Sequence, residues 1–546
     1  MKNPLVAPLL LLTACHGSKN QALFYEQETG LHFTHRSGAS GKFYMTEIMG
    51  AGAALFDYDN DGDLDVFLVQ SVGESKLFRN ELIPGGKLSF TDVTTSSGIR
   101  FDGYGMGAAT GDYNNDGFED LLVTGFNRRS LYRNNGNGTF TQVDFPQPPG
   151  VWSTSASFFD YDRDGLLDLV ILSYVNFSEA ANKSCTAPTG EPDYCTPRAY
   201  APVSARLYHN DGGDKFSDVT AKSGIASALG PGLGVAAADL NGDGWPDLFV
   251  ANDSAQNHVW LNQRNGTFRE VGLEAGAALS EDGLPKAGMG VAVGDADGDG
   301  QEDLFVVNLM REGATLYRKD RVSSEGMPMF VDATRQSRLF SITFPFTGFG
   351  TGWFDFDNDG LLDLFIANGA VTLREEQRGQ TAPFKEKNLL IRNSGDGKFT
   401  DLTAQAGDVF QLLEVSRGAA FGDVDNDGDI DVLITNNNGP ARLLLNGADR
   451  RNAWLELRLE GNGKVNRDAL GARVTLILED GSRLLRRVHT DSSYCSASDR
   501  RVHFGLGPKP SVKAVEVAWP DGSVESWETP AINQLVTLKR GTGHSH

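Results

Sequence analysis

The sequence Phe56-Asp57-Tyr58-Asp59-Asn60-Asp61-Gly62-Asp63-Leu64-Asp65 places aspartate at positions 1, 3, 5 and 9 of a short loop, with glycine at position 6. Such a loop directs several carboxylate oxygens toward one point, and glycine makes the sharp turn at low cost. These ligands and this geometry are what a hard divalent cation prefers. The sequence therefore predicts a metal-binding loop at this position.

The same spacing occurs seven times along the chain. The later copies have side-chain ligands at Asp112, Asn114, Asp116 and Asp120; Asp160, Asp162, Asp164 and Asp168; Asp239, Asn241, Asp243 and Asp247; Asp295, Asp297, Asp299 and Asp303; Asp355, Asp357, Asp359 and Asp363; and Asp423, Asp425, Asp427 and Asp431. Position 12 is apolar in every copy, which excludes an EF-hand, because that motif needs a glutamate there and a helix on either side. Each loop instead leads into a short apolar run, which predicts a buried strand.

We predict that these loops bind up to seven Ca²⁺ ions. The backbone carbonyl of position 7 completes each predicted ligand set, and it belongs to Asp63, Phe118, Leu166, Trp245, Gln301, Leu361 and Asp429. Calcium is favoured over magnesium because the loops offer many oxygens, whereas Mg²⁺ retains its waters. The alternative, solvated acidic turns that bind nothing, leaves seven identical spacings unexplained. Asn114 and Asn241 carry no charge, so weaker binding is expected at the second and fourth sites.

Composition favours an all-β repeat protein. The chain has 546 residues, too many for one ordinary domain, and contains 64 glycines but little helical periodicity. Its net charge of −23 argues against nucleic acid and anionic membrane surfaces as partners. Much of this charge lies in the acidic loops, and seven divalent cations would offset more than half of it.

The residues around each loop predict a four-stranded unit. A strand of small residues precedes the loop, as in Gly52-Ala53-Ala54, and a Leu-rich or aromatic strand follows, as in Leu131-Tyr132-Arg133-Asn134. A glycine-rich turn then leads to a strand such as Phe140-Thr141. Four short strands per unit are typical of propeller blades, so we predict a seven-bladed β-propeller. The seventh unit lacks its last strand, and residues 23–29 are predicted to supply it and close the ring.

At these motifs the chain resembles a known family. The loops resemble the FG-GAP and VCBS repeats of integrin-α-type propellers, and segments 466–474, 503–507 and 517–522 resemble the ASPIC/UnbV domain. Together they resemble the cartilage-acidic-protein family, which implies a calcium-binding propeller followed by a second domain. One departure is Tyr494-Cys495-Ser496-Ala497, where the family usually shows Tyr-x-Ser-Gln. Alternation of apolar and polar residues within 453–540 independently predicts a small β-sandwich.

The N-terminus predicts export. Lys2 precedes a short apolar run, and Leu12-Thr13-Ala14-Cys15 resembles the lipobox of bacterial lipoproteins, in which the cysteine is lipidated after cleavage. The alternative is an ordinary signal peptide. His16 after the cysteine favours transfer to an outer membrane, so the protein is expected in the cell envelope or outside the cell.

Cys185 and Cys195 lie in one insertion and are predicted to form a disulfide, as expected in an oxidising compartment. The alternative is two free thiols. Cys495 is then left as a buried thiol. The predicted boundaries are a signal peptide at 1–14, a lipidated tether at 15–22, the propeller at 23–449, the β-sandwich at 450–540 and a tail at 541–546.

The functional prediction is a binding, adhesion or scaffold protein that acts as a monomer. No Ser/His/Asp grouping, HExxH, Walker loop or CxxC motif is present, so no catalytic residue is assigned and no enzyme is expected. The predicted partner is an extracellular protein or glycan, contacted near the insertions 176–205 and 371–387. Membrane contact is expected through the lipid anchor alone. The alternative is a calcium-dependent, lyase-like enzyme acting on polysaccharides.

Overall fold

The computed structural model describes residues 22–373, 383–448, 452–510, 512–528 and 530–545. The predicted signal peptide, the lipidation site Cys15 and most of the tether lie outside these residues, as does the middle of the second insertion. The described residues contain no helix that is both long and apolar enough to cross a membrane.

The described part of residues 22–448 forms seven four-stranded antiparallel sheets and, in the first insertion, a separate two-stranded sheet of residues 185–186 and 192–193. The strands are β1 (Phe24–Tyr25), β2 (Ala53–Phe56), β3 (Asp65–Leu68), β4 (Lys76–Asn80), β5 (Phe90–Asp92), β6 (Tyr104–Gly111), β7 (Asp120–Phe126), β8 (Ser130–Asn134), β9 (Phe140–Val143), β10 (Ser153–Phe159), β11 (Asp168–Ser173), β12 (Cys185–Thr186), β13 (Pro192–Asp193), β14 (Arg206–Gly212), β15 (Lys215–Asp218), β16 (Gly232–Ala238), β17 (Asp247–Asn252), β18 (His258–Asn262), β19 (Phe268–Glu270), β20 (Val291–Gly294), β21 (Asp303–Val306), β22 (Thr315–Val322), β23 (Pro328–Asp332), β24 (Gly348–Phe354), β25 (Asp363–Asn368), β26 (Leu389–Asn393), β27 (Phe399–Asp401), β28 (Ser416–Gly422), β29 (Asp431–Asn436) and β30 (Arg442–Asn446). Short α-helices span Leu82–Gly85, Thr94–Ser97, Gly272–Ala275 and Leu339–Thr343, and 3₁₀ turns span Met45–Ile48, Glu179–Ala181, Pro197–Ala199, Ile225–Ser227 and Asp408–Gln411.

The sheets are arranged as the blades of a propeller. In each sheet a small-residue inner strand pairs with the strand that leaves the acidic loop, as β2 pairs with β3 through Phe56 and Asp65. Each inner strand also neighbours the inner strand of the next sheet, and β28 returns to β2. The acidic loops therefore all lie at one end of the ring, and the connections between the second and third strands lie at the other. The all-β fold class predicted from the sequence is confirmed.

The N-terminal strand completes the last sheet. β1 pairs with β30, with Phe24 opposite Asn446 and Tyr25 opposite Leu445. The observed strand has two residues, shorter than the segment 23–29 expected from the sequence. Phe24 is fully buried, and its ring lies 5.8 Å from the ring of Phe410. Phe24 thus anchors the seam, while residues 26–28, directly after the strand, are exposed.

Residues after the propeller form two packed sheets. The strands are β31 (Ala453–Glu460), β32 (Arg473–Leu478), β33 (Arg483–Arg487), β34 (Val502–Gly507), β35 (Val512–Ala518), β36 (Val524–Glu528), β37 (Leu535–Lys539) and β38 (His544–Ser545). One sheet has the order β34-β31-β37 and the other β33-β32-β35-β36-β38. Leu457, Val474 and Val515 are fully buried between them. This is the β-sandwich expected from the alternating pattern.

The connection between β33 and β34 enters the axis of the propeller. We call residues 490–499 the plug. Its backbone or side chains form hydrogen bonds with the inner strands of all seven sheets. The residues contacted are Leu55, Ala108, Ser155, Ala237, Val291, Thr351 and Phe421. A Cβ atom added to Gly52 would lie 2.1 Å from the carbonyl oxygen of Cys495. The plug is therefore a second reason, besides the convergence of the sheets, for the small residues of the inner strands.

Candidate metal centre formed by seven acidic loops

Backbone N–H groups orient the aspartate at position 1 of each loop. In the first loop the N–H of Asp61 donates to Oδ1 of Asp57 (3.1 Å) and that of Gly62 to Oδ2 (3.2 Å). The equivalent pair of bonds occurs in the other six loops. Gly62 has a φ of +99°, a conformation that glycine adopts without strain. The loop backbone therefore orients the carboxylate at position 1, and in the first loop Arg458 also contacts Asp57 (3.4 Å).

The aspartate at position 9 joins each loop to the third strand of its sheet. Asp65 is fully buried; its Oδ2 accepts from the N–H of Tyr58 (3.1 Å) and its Oδ1 from the N–H of Asn80 (2.8 Å). The other six loops repeat this arrangement. Burial raises the pKa of Asp65 well above its usual value and that of Asp303 to about 8.

The donor set fits a hard divalent cation. In the first, third, fifth and sixth loops, oxygens from positions 1, 3 and 5 lie within 4.8 Å of one another. Oδ1 of the position-3 residues Asp59, Asp162 and Asp357 is buried and has no hydrogen-bond partner in the described structure. Burial, followed by neighbouring carboxylates, raises the pKa of Asp160 to about 7. A cation at the centre of the loop would supply the missing partner and favour the ionised carboxylates.

The two asparagine-containing loops differ from the rest. Nδ2 of Asn114 donates to Oδ2 of Asp116 (3.0 Å), and Nδ2 of Asn241 donates to Oδ2 of Asp243 (3.0 Å). The amide thus occupies a carboxylate oxygen that a metal would otherwise use. This contact agrees with the expectation of weaker binding at the second and fourth loops, which stays a prediction.

Family models cover both parts of the chain. A model described as FG-GAP-like repeat matches residues 57–123, 112–171, 190–250, 239–306 and 355–434, and one described as ASPIC and UnbV matches residues 461–545. The chain belongs to the FG-GAP-like repeat proteins that carry an ASPIC/UnbV domain. The resemblance read from the loops and from the C-terminal motifs is therefore confirmed.

The curated relatives of this FG-GAP protein are cartilage acidic proteins. Cartilage acidic protein 1 of Homo sapiens is 29% identical over 312 residues, an alignment that spans 57% of this chain but 44% of the human protein. The Mus musculus protein is 26% identical over 496 residues, spanning 87% of this chain and 71% of its own length.

Solved structures of other proteins have a similar but more distant fold. One of YCF48 bound to a D1 peptide has a TM-score of 0.42 and 9% identity, and covers 79% of this chain and 96% of that chain. One of an N-acetylglucosamine-recognising Agrocybe aegerita lectin has a TM-score of 0.38 and 15% identity, and covers 72% of this chain and 86% of that chain. At these scores the likeness carries no information about function.

The ASPIC/UnbV domain lies on the end of the FG-GAP ring that carries the acidic loops. Arg458 contacts Oδ1 of Asn60 (2.8 Å) in the first loop, and Arg501 donates to the backbone oxygen of Asp423 (2.9 Å) in the seventh. In the second loop, the N–H of Asp112 donates to the buried carboxylate of Asp468 (2.6 Å). Parts of the first, second and seventh loops therefore lie at a domain interface, whereas some predicted ligands, such as Asp164 and Asp299, are exposed.

Sequence reasoning missed an asparagine that joins neighbouring sheets. Nδ2 of Asn134, at the end of β8, donates to the backbone oxygens of Glu119 in its own loop (3.1 Å) and of Tyr58 in the preceding one (2.7 Å). Equivalent bonds are made by Asn80, Asn210, Asn262, Asn393 and Asn446. The fifth sheet has Lys319 at this position. The available signal was the asparagine that recurs toward the end of the third strand in six of the seven sheets.

The predicted disulfide between Cys185 and Cys195 is confirmed, and Cys495 is a free, buried thiol in the plug. The disulfide insertion lies at the end of the ring opposite the acidic loops. There the N–H of Leu373 donates to Oδ2 of Asp193 (2.8 Å), so the described edges of the two insertions meet.

Proposed function

We propose that this protein is an exported, calcium-dependent binding or scaffold protein and that it has no catalytic activity. The observation that carries the proposal is the repeated loop, in which the chain's own N–H groups orient several carboxylates, of which that at position 9 is buried in every copy. Calcium would neutralise these groups and stabilise the junction between sheets and ASPIC/UnbV domain. The disulfide supports export, because disulfides persist in oxidising compartments.

The face opposite the acidic loops is the proposed partner surface. It carries the two insertions, and exposed residues such as 178–181 project from it. The ring of Tyr194 lies 5.2 Å from that of Phe43 and 6.3 Å from that of Phe384, so the surface rests on a packed aromatic base. Loops held on a rigid scaffold are common sites of recognition. An extracellular protein or glycan is the proposed partner, and the monomer is the proposed active form.

The calcium part is tested by equilibrium dialysis of the full chain followed by mass spectrometry of bound metal. We expect several calcium ions per chain in millimolar Ca²⁺ and fewer than one after chelation. Affinities of about 10⁻⁴–10⁻³ M, typical of extracellular modules, are expected. A chain that retains no calcium at 5 mM Ca²⁺ would contradict the proposal.

The binding part is tested with a glycan array and with pull-downs of a variant in which the exposed Ser178 and Glu179 are replaced by arginine, because residues 180 and 181 are already alanine. Loss of capture in that variant, with unchanged calcium content, is the expected result. In parallel, incubation with a panel of polysaccharides tests the lyase alternative. Growth of unsaturated-product absorbance that depends on calcium would show an enzyme instead.

A further inference from the structure

The third acidic loop differs from the other six because a histidine faces it. His209 lies on β14, immediately before the asparagine that joins the sheets. The same position holds Arg79, Arg133, Leu261, Arg318, Arg392 and Leu445 in the other sheets. Neither arginine nor leucine binds metals, whereas a neutral imidazole is a common ligand of first-row transition metals. The third loop is thus the one that offers nitrogen as well as oxygen.

The imidazole of His209 lies close enough to two carboxylates of the third loop to share a metal ion with them. Nδ1 of His209 lies 3.1 Å from Oδ1 of Asp168 and 3.5 Å from Oδ2 of Asp162. Ligand atoms at about 2.0–2.1 Å from a tetrahedral Zn²⁺ are separated by about 3.2–3.5 Å. The two distances from Nδ1 are close to this separation, and one ligand atom of each of the three side chains lies within 4.8 Å of the others.

Two neighbouring contacts support a metal ligand rather than a surface histidine. The imidazole of His209 packs nearly perpendicular to the ring of Tyr161, with 6.0 Å between the two ring centroids, and this contact limits its rotation. Nε2 lies 3.8 Å from Oδ1 of Asp211; this is too far for a hydrogen bond, but it places a carboxylate on the side where one commonly orients a metal-bound imidazole. In addition, Oδ1 of Asp162 is buried without a hydrogen-bond partner in the described structure, so the loop has an oxygen available for an ion.

We propose that the third loop is a mixed nitrogen and oxygen site for a first-row transition metal such as Zn²⁺, with His209, Asp162 and Asp168 as ligands. The inference rests on the proposed metal-binding function of the loops and changes the identity of the ion at one of them. Nitrogen ligation favours Zn²⁺ or Co²⁺ over Ca²⁺, which takes oxygen ligands. The side chain of His209 is 26% exposed, so an ion can enter from solvent.

The test uses the full chain, dialysed against 2 mM Ca²⁺ with low micromolar Zn²⁺, and measures both metals by mass spectrometry. We expect one retained zinc per chain and an anomalous diffraction peak at the zinc edge beside His209. His209→Arg, which introduces the residue of the equivalent position in four other sheets, should weaken zinc binding at least about tenfold. The control His32→Asn removes an exposed histidine 3.5 Å from a single carboxylate, that of Glu28, and should change nothing.

Cobalt gives a readout that a structural role for His209 would not affect. Co²⁺ in the wild-type chain should show the visible absorption of a low-coordinate site with a nitrogen ligand, and His209→Asn should lose it while its melting temperature and calcium content are retained. Zinc that is displaced by 2 mM Ca²⁺, or that binds equally in His209→Arg, would overturn the proposal. Calcium bound without any zinc would refute this inference alone, whereas the absence of calcium from every loop would refute the proposed function.

Discussion

The asparagine that joins neighbouring sheets gives the sharpest test of how the ring is held together. Asn134 is fully buried, and its amide makes three hydrogen bonds: two to backbone oxygens of adjacent loops and one from the N–H of Gly136. Each is worth about 0.5–1.5 kcal/mol net, and a buried oxygen left without a donor costs more. Asn134→Ala should therefore destabilise the propeller by about 3 kcal/mol, which lowers the melting temperature by about 3–6 °C.

The assay is differential scanning calorimetry in saturating calcium, with Asn135→Ala as the matched control. Asn135 is exposed, and its amide contacts Oγ1 of Thr139 (3.0 Å), which is also exposed. Its removal should shift the melting temperature by less than about 1 °C, as is usual for surface substitutions. If the two variants have the same melting temperature, the hydrogen bonds of Asn134 between sheets do not stabilise the propeller. The acidic loops alone would then have to hold the sheets together.

Four further outcomes are expected. Chelation should lower the melting temperature by more than 10 °C, because each site at twenty times its dissociation constant contributes about 1.8 kcal/mol; an unchanged value would contradict metal-dependent stability. Burial raises the folded-state pKa of Asp160 to about 7 and of Asp303 to about 8, above the unfolded value of about 4, so the native state binds more protons. The urea midpoint of chelated protein should accordingly fall from pH 5 to pH 8, and a rise would refute this reasoning. Lys319→Asn replaces a buried ammonium, whose pKa is lowered by desolvation, with the amide found in the other sheets. Calorimetry should show a melting temperature about 1–3 °C higher, and a lower melting temperature would contradict a stabilising role of the amide at this position. Replacing Cys185 and Cys195 by serine should make the insertion sensitive to limited proteolysis while the propeller melts within about 2 °C of the wild type, and equal resistance would show that the disulfide is dispensable.

The repeated parts of the fold were predictable because each unit encodes its own geometry. The residues that shape a loop, at positions 1, 6 and 9, lie only a few positions apart in the sequence. Seven copies of the spacing therefore predict seven similar turns. The same holds for the disulfide, whose cysteines are ten residues apart. The closing strand was found because the seventh unit lacks a segment that the N-terminus resembles, although its length was overestimated by comparison with the observed Phe24–Tyr25.

Contacts between distant segments were not predictable from local patterns. The plug meets inner strands hundreds of residues away, and nothing in Tyr494-Cys495-Ser496-Ala497 has the period of a strand or helix. Ser492, Ser493 and Cys495 have positive φ angles, which are costly for such residues and persist because the surrounding ring holds them. The contact between His209 and Asp168 has no local sequence pattern either, since the two residues are 41 positions apart.

The seam between β1 and β30 has a consequence for how the protein is made. During synthesis Phe24 is made early, whereas its pairing partner Asn446 is made more than four hundred residues later. Until then the first and seventh sheets each lack a neighbour, and any fragment that stops short of Asn446 exposes an open flank. The ten residues that fill the axis are synthesised later still. The ring therefore closes late in synthesis at the earliest, and until then both flanks present unpaired strand edges that could pair with other chains.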